Sequence, residues 1–569
     1  MKEQIENLIK EALQNLGITE DASFMVEHPA DFKMGDYSAN VAMVYAKKIG
    51  KNPRELAENI KSEFEKKLPK EIEKIEVAGP GFINFYLSRE FFTKSVKEIL
   101  DKKDNWGKNK ILEGKKVMVE YTDPNPFKPF HIGHLMANTV GESVSRIVEF
   151  SGAKTIRAIY QGDIGLHVAK AIYGLMKFGL PEDSKTVREK AEYIGGCYSK
   201  ASNLYEEDSE VKNEIDDINK KVYSKSEEKI NNIYDWGREI TLEAFEYFYK
   251  ILRTKFSYYF FESEMAPLGI KIVKENVGKV FEESDGAIVF HGENYDKKLH
   301  TRVFVNSQGI PTYEAKEIGL TITKFEKEKD LDLSIVTTAI EQAEYMKVVQ
   351  KAISLIHPEI EKKMKHVTHG MMKLSSGKMS SRKGNIITGE SLINDSIDIV
   401  LEKIKEREFG EEDKKDISEK VGVSALRYSI LRSSLGSDII YDFDKSISFD
   451  GDSGPYLQYT AVRANSILSK ADDFDKSNRD EIPTDITELE KKIYQFPEIV
   501  EKSYELLEPH HIATYLTELA SSFNVFYGNT KILVDENKSL NYHLDLLRAF
   551  YQTMENGLWL LGIEIPERM

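Results

Sequence analysis

The chain is poor in several things, and each shortage excludes a class. Its 569 residues contain one cysteine, Cys197, which rules out a disulfide framework and any cysteine-based zinc site and fits a reducing compartment. No apolar run approaches the roughly 18 residues needed to span a bilayer. No repeat of fixed period and no long low-complexity stretch is present. Basic charge is in deficit, with 79 Lys and Arg against 95 Asp and Glu and a formal net charge of −16. General polyanion binding is therefore disfavoured, although a nucleic acid gripped by local basic patches remains compatible, because the field that matters is local.

What is present points to a multidomain globular chain. Apolar residues make up 41% of the chain, and a length prior of about 150 residues per domain predicts three or four domains. At the start, Ile5, Leu8, Ile9, Ala12, Leu13 and Leu16 recur at helical spacing with Glu3, Glu6 and Glu11 between them. That pattern reads as an amphipathic globular helix, not a targeting segment.

The texture changes along the chain. Residues 1–87 run from that helix to VAGPGFINFYL, where Gly79, Pro80 and Gly81 set a turn before a strand, and 88–115 read as a helical linker. From 116, strand–loop–helix alternation argues for a parallel sheet. VMVEYT (117–122) is a strand, a helix runs from Ile132 to Phe150, and TIRAIY (155–160) is the next strand. Residues 183–262 read as a charged helical insertion, after which alternation resumes at SIVTTA (334–339) and HVTHGMM (366–372). From about 446 the pattern is helical, and the last helix carries Leu547, Phe550, Tyr551, Met554 and Leu558 on one face. The expected division is 1–115, an α+β N-terminal domain with linker; 116–445, a Rossmann-type parallel-sheet core; and 446–569, an all-α bundle. The fold class is α/β.

Two motifs carry chemistry. His131-Ile132-Gly133-His134 stands where a loop after the first strand enters a helix, a prepared anion site at the carboxyl edge of a parallel sheet. Both rings project from one face, and Gly133 removes the side chain that would block a flat base or ribose. A zinc pair is the alternative, but no third ligand lies at short spacing. The second motif is the Gly/Ser loop around Lys378, Met379, Ser380, Ser381, Arg382 and Lys383. Residues 361–388 carry seven Lys or Arg against one Glu, a local reversal of charge suited to closing over a polyphosphate.

Together these motifs resemble the HIGH and KMSKS signatures of class I aminoacyl-tRNA synthetases. VEYTDPNPFKPFHIGHL is similar to the first signature of the arginyl-tRNA synthetase family. Residues 31–60 with AGPGFINFYL (78–87) resemble its extra N-terminal domain, and FDGDSGPYLQYTAVR (449–463) with the ending LLGIEIPERM resembles its anticodon-binding domain.

The resemblance implies ATP-dependent activation of L-arginine and transfer to the 2′-hydroxyl of the terminal adenosine of arginine tRNA. Magnesium is expected on the nucleotide, with no protein-bound zinc. By motif position, His131, His134 and Gly133 would hold ATP, Gly370 and Met371 would offer backbone to adenine, and Lys378, Met379, Ser380 and Arg382 would close over pyrophosphate. Glu120, Asn125, Tyr313, Glu317 and Gln342 would hold arginine, a planar cation that calls for carboxylates and amide oxygens. Phe82 and Asn84 would meet the tRNA elbow, Phe82 otherwise being core and Asn84 a strand-end cap. A cytoplasmic monomer is expected, with no membrane partner.

Three positions depart from the family pattern. Glu317 replaces the usual Asp, His167 stands where Gln is usual, and Ser381 replaces the second loop lysine. Lys128, three residues before His131, is the expected substitute cation, with Lys383 the alternative. These departures motivate one rival, a synthetase-like tRNA-binding protein without catalysis. A nucleotidyltransferase using HxGH alone is another, but it leaves the flanking domains unexplained.

Overall fold

The computed structural model describes residues 1–19, 22–375 and 388–569. Packing divides the chain into two compact units, each assembled from separated segments. Residues 1–106, 463–497 and 518–556 form one, and 107–462, 498–517 and 557–569 form the other.

In the first unit the opening helix spans Lys2–Asn15 and buries Ile5, Ile9, Ala12 and Leu13. It packs with an antiparallel sheet whose strands run in the order Val26–Glu27, Tyr37–Ala39, Phe82–Leu87, Ile72–Ala78. The last two form a hairpin that pairs Ala78 with Phe82. Gly81 in its turn has φ +131°, and a Cβ there would lie 2.9 Å from the Pro53 carbonyl oxygen, so only glycine fits. In the helices of residues 454–560, Leu547, Phe550, Met554 and Leu558 are fully buried, as the helical spacing predicts, while Tyr551 is half-buried.

The second unit holds the parallel sheet. Its elements are β1 (Lys116–Glu120), α1 (Ile132–Phe150), β2 (Lys154–Gln161), β3 (Tyr258–Phe261), α2 (Tyr313–Lys327), β4 (Leu333–Ala339) and β5 (Met364–His369). The strand order is β5-β4-β1-β2-β3, all parallel. Chain direction across the sheet reverses between β1 and β4, the switch point where open α/β sheets hold ligands. Val117, Met118 and Val119 of β1 are completely buried, the continuous apolar run expected of a strand covered on both faces.

Three expectations need correction. The first strand ends at Glu120, because Thr122 and Asp123 take positive φ of 83° and 45° and cannot continue it. β5 ends at His369; Met372–Leu374 pairs instead with Ile439–Tyr441 in a separate two-stranded sheet. The insertion is helical over 187–207, 209–224 and 228–251, but Tyr258–Phe261 is the edge strand of the main sheet, an aromatic run whose pairing is non-local. α1 is buried nearly all round: Val140, Val144, Ile147 and Val148 are core, and so are Asn138, Thr139, Glu142 and Ser143. Asn138, Glu142 and Ser143 are tolerated because they are bonded, while the Thr139 hydroxyl has no partner among the described residues. Asn138 donates to Thr122 and Thr254, and Glu142 accepts from Arg146 and Arg157.

Candidate active site

The loop from β1 to α1 carries strain where the site begins. Thr122, Asp123 and Phe127 all have positive φ, which costs a non-glycine residue on the order of 1–3 kcal/mol each and persists only when neighbours enforce it. Here they do. Thr122 Oγ1 accepts from Asn138 at 3.0 Å, and Asp123 Oδ1 accepts from the Tyr160 backbone N–H at 2.8 Å.

His131 caps α1 and His134 is the third residue inside it. The His131 Nδ1 accepts from the His134 backbone N–H at 3.3 Å, and the His134 Nδ1 accepts from the His131 N–H at 3.2 Å. This reciprocal arrangement is a capping box made of two histidines. The rings stack with centroids 3.3 Å apart. Because both Nδ1 atoms accept, both rings carry their proton on Nε2, at the far side from the cap. Burial and the Lys128 charge push His131 down to about 4, and burial and His131 hold His134 well below the usual value. At neutral pH the pair is two uncharged N–H donors with fixed tautomers. Gly133 serves this geometry, since a Cβ there would press the His131 ring at 3.0 Å.

The remaining predicted residues gather at the carboxyl ends of the strands. Asn125 lies over Gly162, where any Cβ would meet its amide oxygen at 2.2 Å and the Glu262 carboxyl carbon at 3.4 Å. Glu262 forms a buried ion pair with Lys316, whose ammonium stands 4.5 Å from the Tyr313 ring centroid. Tyr313 itself is 60% exposed at the start of α2. Glu120, 1% exposed, forms a buried ion pair with Lys324. Glu317 is raised to about 8 by burial and the nearby Glu120, against Lys324. Asp123 is held well above the usual carboxylate range by burial and Glu120. Gln342 ends the 3-10 turn after β4 and is exposed.

Some residues take partners that differ from the expectation. The Met371 N–H, expected at adenine, donates to Asp438 Oδ1 at 3.1 Å. Gly370 admits a close backbone approach, since a Cβ would meet the Ser437 carbonyl at 2.1 Å. His167 Nε2 sits 2.8 Å from the Gly162 carbonyl and stabilises that turn. Lys128 places its ammonium 5.2 Å from the Tyr198 ring, and its charge also reaches His167 and Glu262. Phe82 is 39% exposed, so it is not core. Asn84 is buried inside its strand and accepts from Ser38 Oγ at 2.7 Å, so it is neither an open base contact nor a strand-end cap. Lys378, Met379, Ser380, Ser381, Arg382 and Lys383 lie outside the described residues.

Sequence reasoning missed Asp123, Tyr160, Glu262, Lys316 and Lys324. Glu262 had a signal available, since it directly follows an apolar strand as Glu120 does. Lys324 stands seven residues after Glu317 on the same helical face. The Tyr160 hydroxyl is buried with no hydrogen-bond partner among the described residues, the condition of a donor left for a ligand. Elsewhere, Glu508, His510 and His511 gather metal-type side chains, but Glu508 lies 3.7 and 3.2 Å from the two rings, which accounts for the cluster without an ion.

A 3-2-1-4-5 parallel sheet with a histidine-capped helix at its switch point defines a Rossmann-type core. Comparison with known proteins narrows it. The family model described as tRNA synthetases class I (R), catalytic domain, matches residues 95–443. The arginyl tRNA synthetase N terminal domain matches 3–87, and the DALR anticodon binding domain matches 457–569. The chain belongs to the arginyl-tRNA synthetase family. It is 31% identical to the arginine–tRNA ligase of Halothermothrix orenii, covering 100% of this chain and 99% of that one. With the enzyme of Fusobacterium nucleatum it shares 35% identity over 94% of this chain and 93% of the relative. Solved structures share the fold: Thermus thermophilus arginyl-tRNA synthetase superimposes with a TM-score of 0.81 at 23% identity, over 100% of both chains. The Plasmodium falciparum protein gives 0.80 at 21%, over 100% of this chain and 99% of that one.

Proposed function

We propose that the chain is an arginine–tRNA ligase that joins L-arginine to ATP, releasing pyrophosphate, and then esterifies the 2′-hydroxyl of the terminal adenosine of arginine tRNA. The observation that carries this reading is the pairing, at one sheet edge, of uncharged N–H donors with a buried acidic pocket. No protein nucleophile is needed. The arginine carboxylate attacks the α-phosphate in line, the bond to the β-phosphate breaks, and the tRNA hydroxyl later displaces AMP. The chain supplies positioning and charge stabilisation. His131 and His134 donate from Nε2 to phosphate oxygens, Lys128 offsets charge on the leaving pyrophosphate, and the 378–382 loop covers it. Asn125, Tyr313, Gln342 and the Glu120–Glu317 cluster hold the amino acid. Class I synthetases use ATP, and Mg2+ is expected to arrive on the nucleotide.

The finer reading includes a tRNA elbow contact at Phe82, with 1–115 as the elbow domain, 116–445 as the catalytic domain and 446–569 as the anticodon domain. It also includes a monomeric, cytoplasmic enzyme. Among the described residues no helix is long and apolar enough to cross a membrane. Pyrophosphate exchange run with each amino acid, with and without arginine tRNA, tests the whole. Exchange with arginine in the presence of that tRNA is expected; exchange with another amino acid, or none with arginine and tRNA, overturns it.

A further inference from the structure

Four charged or titratable side chains meet at the switch point, and the function described so far uses only some of them. Glu120 ends β1, Asp123 follows in the strained loop, and Glu317 and Lys324 stand on one face of α2. Glu120 and Lys324 are each 1% exposed and form an ion pair. The second buried cation, Lys316, is taken by Glu262, so that pair is neutral by itself.

Counting charge around Glu120 gives three carboxylates, Glu120, Asp123 and Glu317, and one ammonium, Lys324. With all ionised, the state that a bound dication would draw from the raised Glu317 and Asp123, the cluster is −2. Free arginine brings two cations, the α-ammonium and the guanidinium, while its carboxylate turns toward the nucleotide. A buried ion is tolerated only when compensated, so a cluster of −2 accepts two cations and neither more nor fewer. Without Lys324 the cluster would be −3, and no single arginine would neutralise it. With Lys324 but without one carboxylate, one substrate cation would be left unpaired.

Resting on the arginine reading above, we propose that Lys324 is a positioning residue that sets the charge of the amino-acid pocket: by compensating Glu120 from behind, it leaves a site matched to a dication. The groups facing Glu317 are Glu120 from β1, Asp123 from the loop, Tyr160 from β2, Glu262 with Lys316, Tyr345, and Lys324 itself. Lys324 is the member of this set that both pairs with Glu120 and lowers Glu317. Its removal therefore keeps Glu317 protonated to higher pH and weakens the grip on a cation.

The test is a double-mutant cycle on the full-length enzyme, read as KM for arginine and for ATP in tRNA-dependent exchange between pH 7 and 9. Lys324→Met is expected to raise the arginine KM about tenfold or more at pH 7.5, with less loss at pH 9, and to leave the ATP KM within twofold. Glu120→Gln/Lys324→Met restores the charge of −2 and is expected to bind arginine better than either single variant. Lys324→Arg keeps the charge and is expected to stay near wild type, which covers the case in which Lys324→Met does not fold. Equal losses in arginine and ATP kinetics at every pH, or a double variant no better than Glu120→Gln, overturn the proposal. Wild-type charging with arginine is measured in parallel, so failure of the functional reading is seen separately.

Discussion

The two ends of the site solve opposite electrostatic problems. The end proposed for the phosphates presents neutral groups, two stacked histidines stripped of charge by burial, each with its tautomer determined by the other's backbone. The end proposed for the amino acid is built from titratable groups, the Glu120–Lys324 pair beside Glu317 and Asp123. The first is local, contained within four consecutive residues. The second is assembled from β1, its loop and α2, more than 190 residues apart in the chain. A local device is rigid and robust to distant substitution, whereas an assembled one depends on every contributor being ionised and in register.

The sharpest way to break this contrast is at Lys128, the cation proposed to offset charge on the phosphate side. Lys128→Ala should lower the rate of arginine activation by about 10²-fold, with little change in Tm. Ser381→Lys in that background should recover part of the loss. A wild-type activation rate in Lys128→Ala would pass the role to Lys383.

The acidic end should respond in binding. Glu120→Gln removes a charge-assisted contact and strands Lys324, so the arginine KM should rise by the equivalent of roughly 1.5–3 kcal/mol while the ATP KM holds. Unchanged arginine kinetics would take Glu120 out of the pocket.

pH separates the two ends by sign. Glu317, raised from 4.5 to about 8, is ionised only as pH passes that value, so the arginine KM should fall between pH 7 and 9, with a proton released on binding. The same raised value means this group favours the folded state at low pH, a contribution lost as pH rises through 8. His131, lowered from 6.5 to about 4, works the other way. Its contribution to stability is present above 6.5 and is lost as pH falls toward 4. An arginine KM flat across pH 7–9 would remove Glu317 from the titrating set.

The smallest effect lies outside the crevice. Phe82→Ala at an exposed position should weaken tRNA binding several-fold and leave Tm nearly unchanged, by filter binding and calorimetry. A large fall in Tm with unchanged tRNA binding would give Phe82 a packing role in place of the tRNA contact.

How much was legible follows the same division. The helix from Ile132 to Phe150, the capping histidines and the parallel-sheet texture could all be read along the chain, because each depends on near neighbours and on 3.6- or 2-residue periodicity. The edge strand at Tyr258–Phe261 was hidden in a helical stretch, since pairing with β2 is non-local and four aromatic residues have no alternation to reveal it. Asn84 looked open from its place in a strand, and the register that sets it against Ser38 closed it.

By itself the amino-acid sequence determined the family, the fold class, the histidine pair and the two carboxylates, Glu120 and Glu317, proposed for the arginine pocket. Only the tertiary structure decided which carboxylate has a buried lysine behind it, which is protonated at neutral pH, and that the two histidines are uncharged donors. The reason is physical: a residue's type sets its charge and its hydrogen-bonding groups, but burial and the charges brought beside it from distant strands set whether that charge is present and what remains for a ligand.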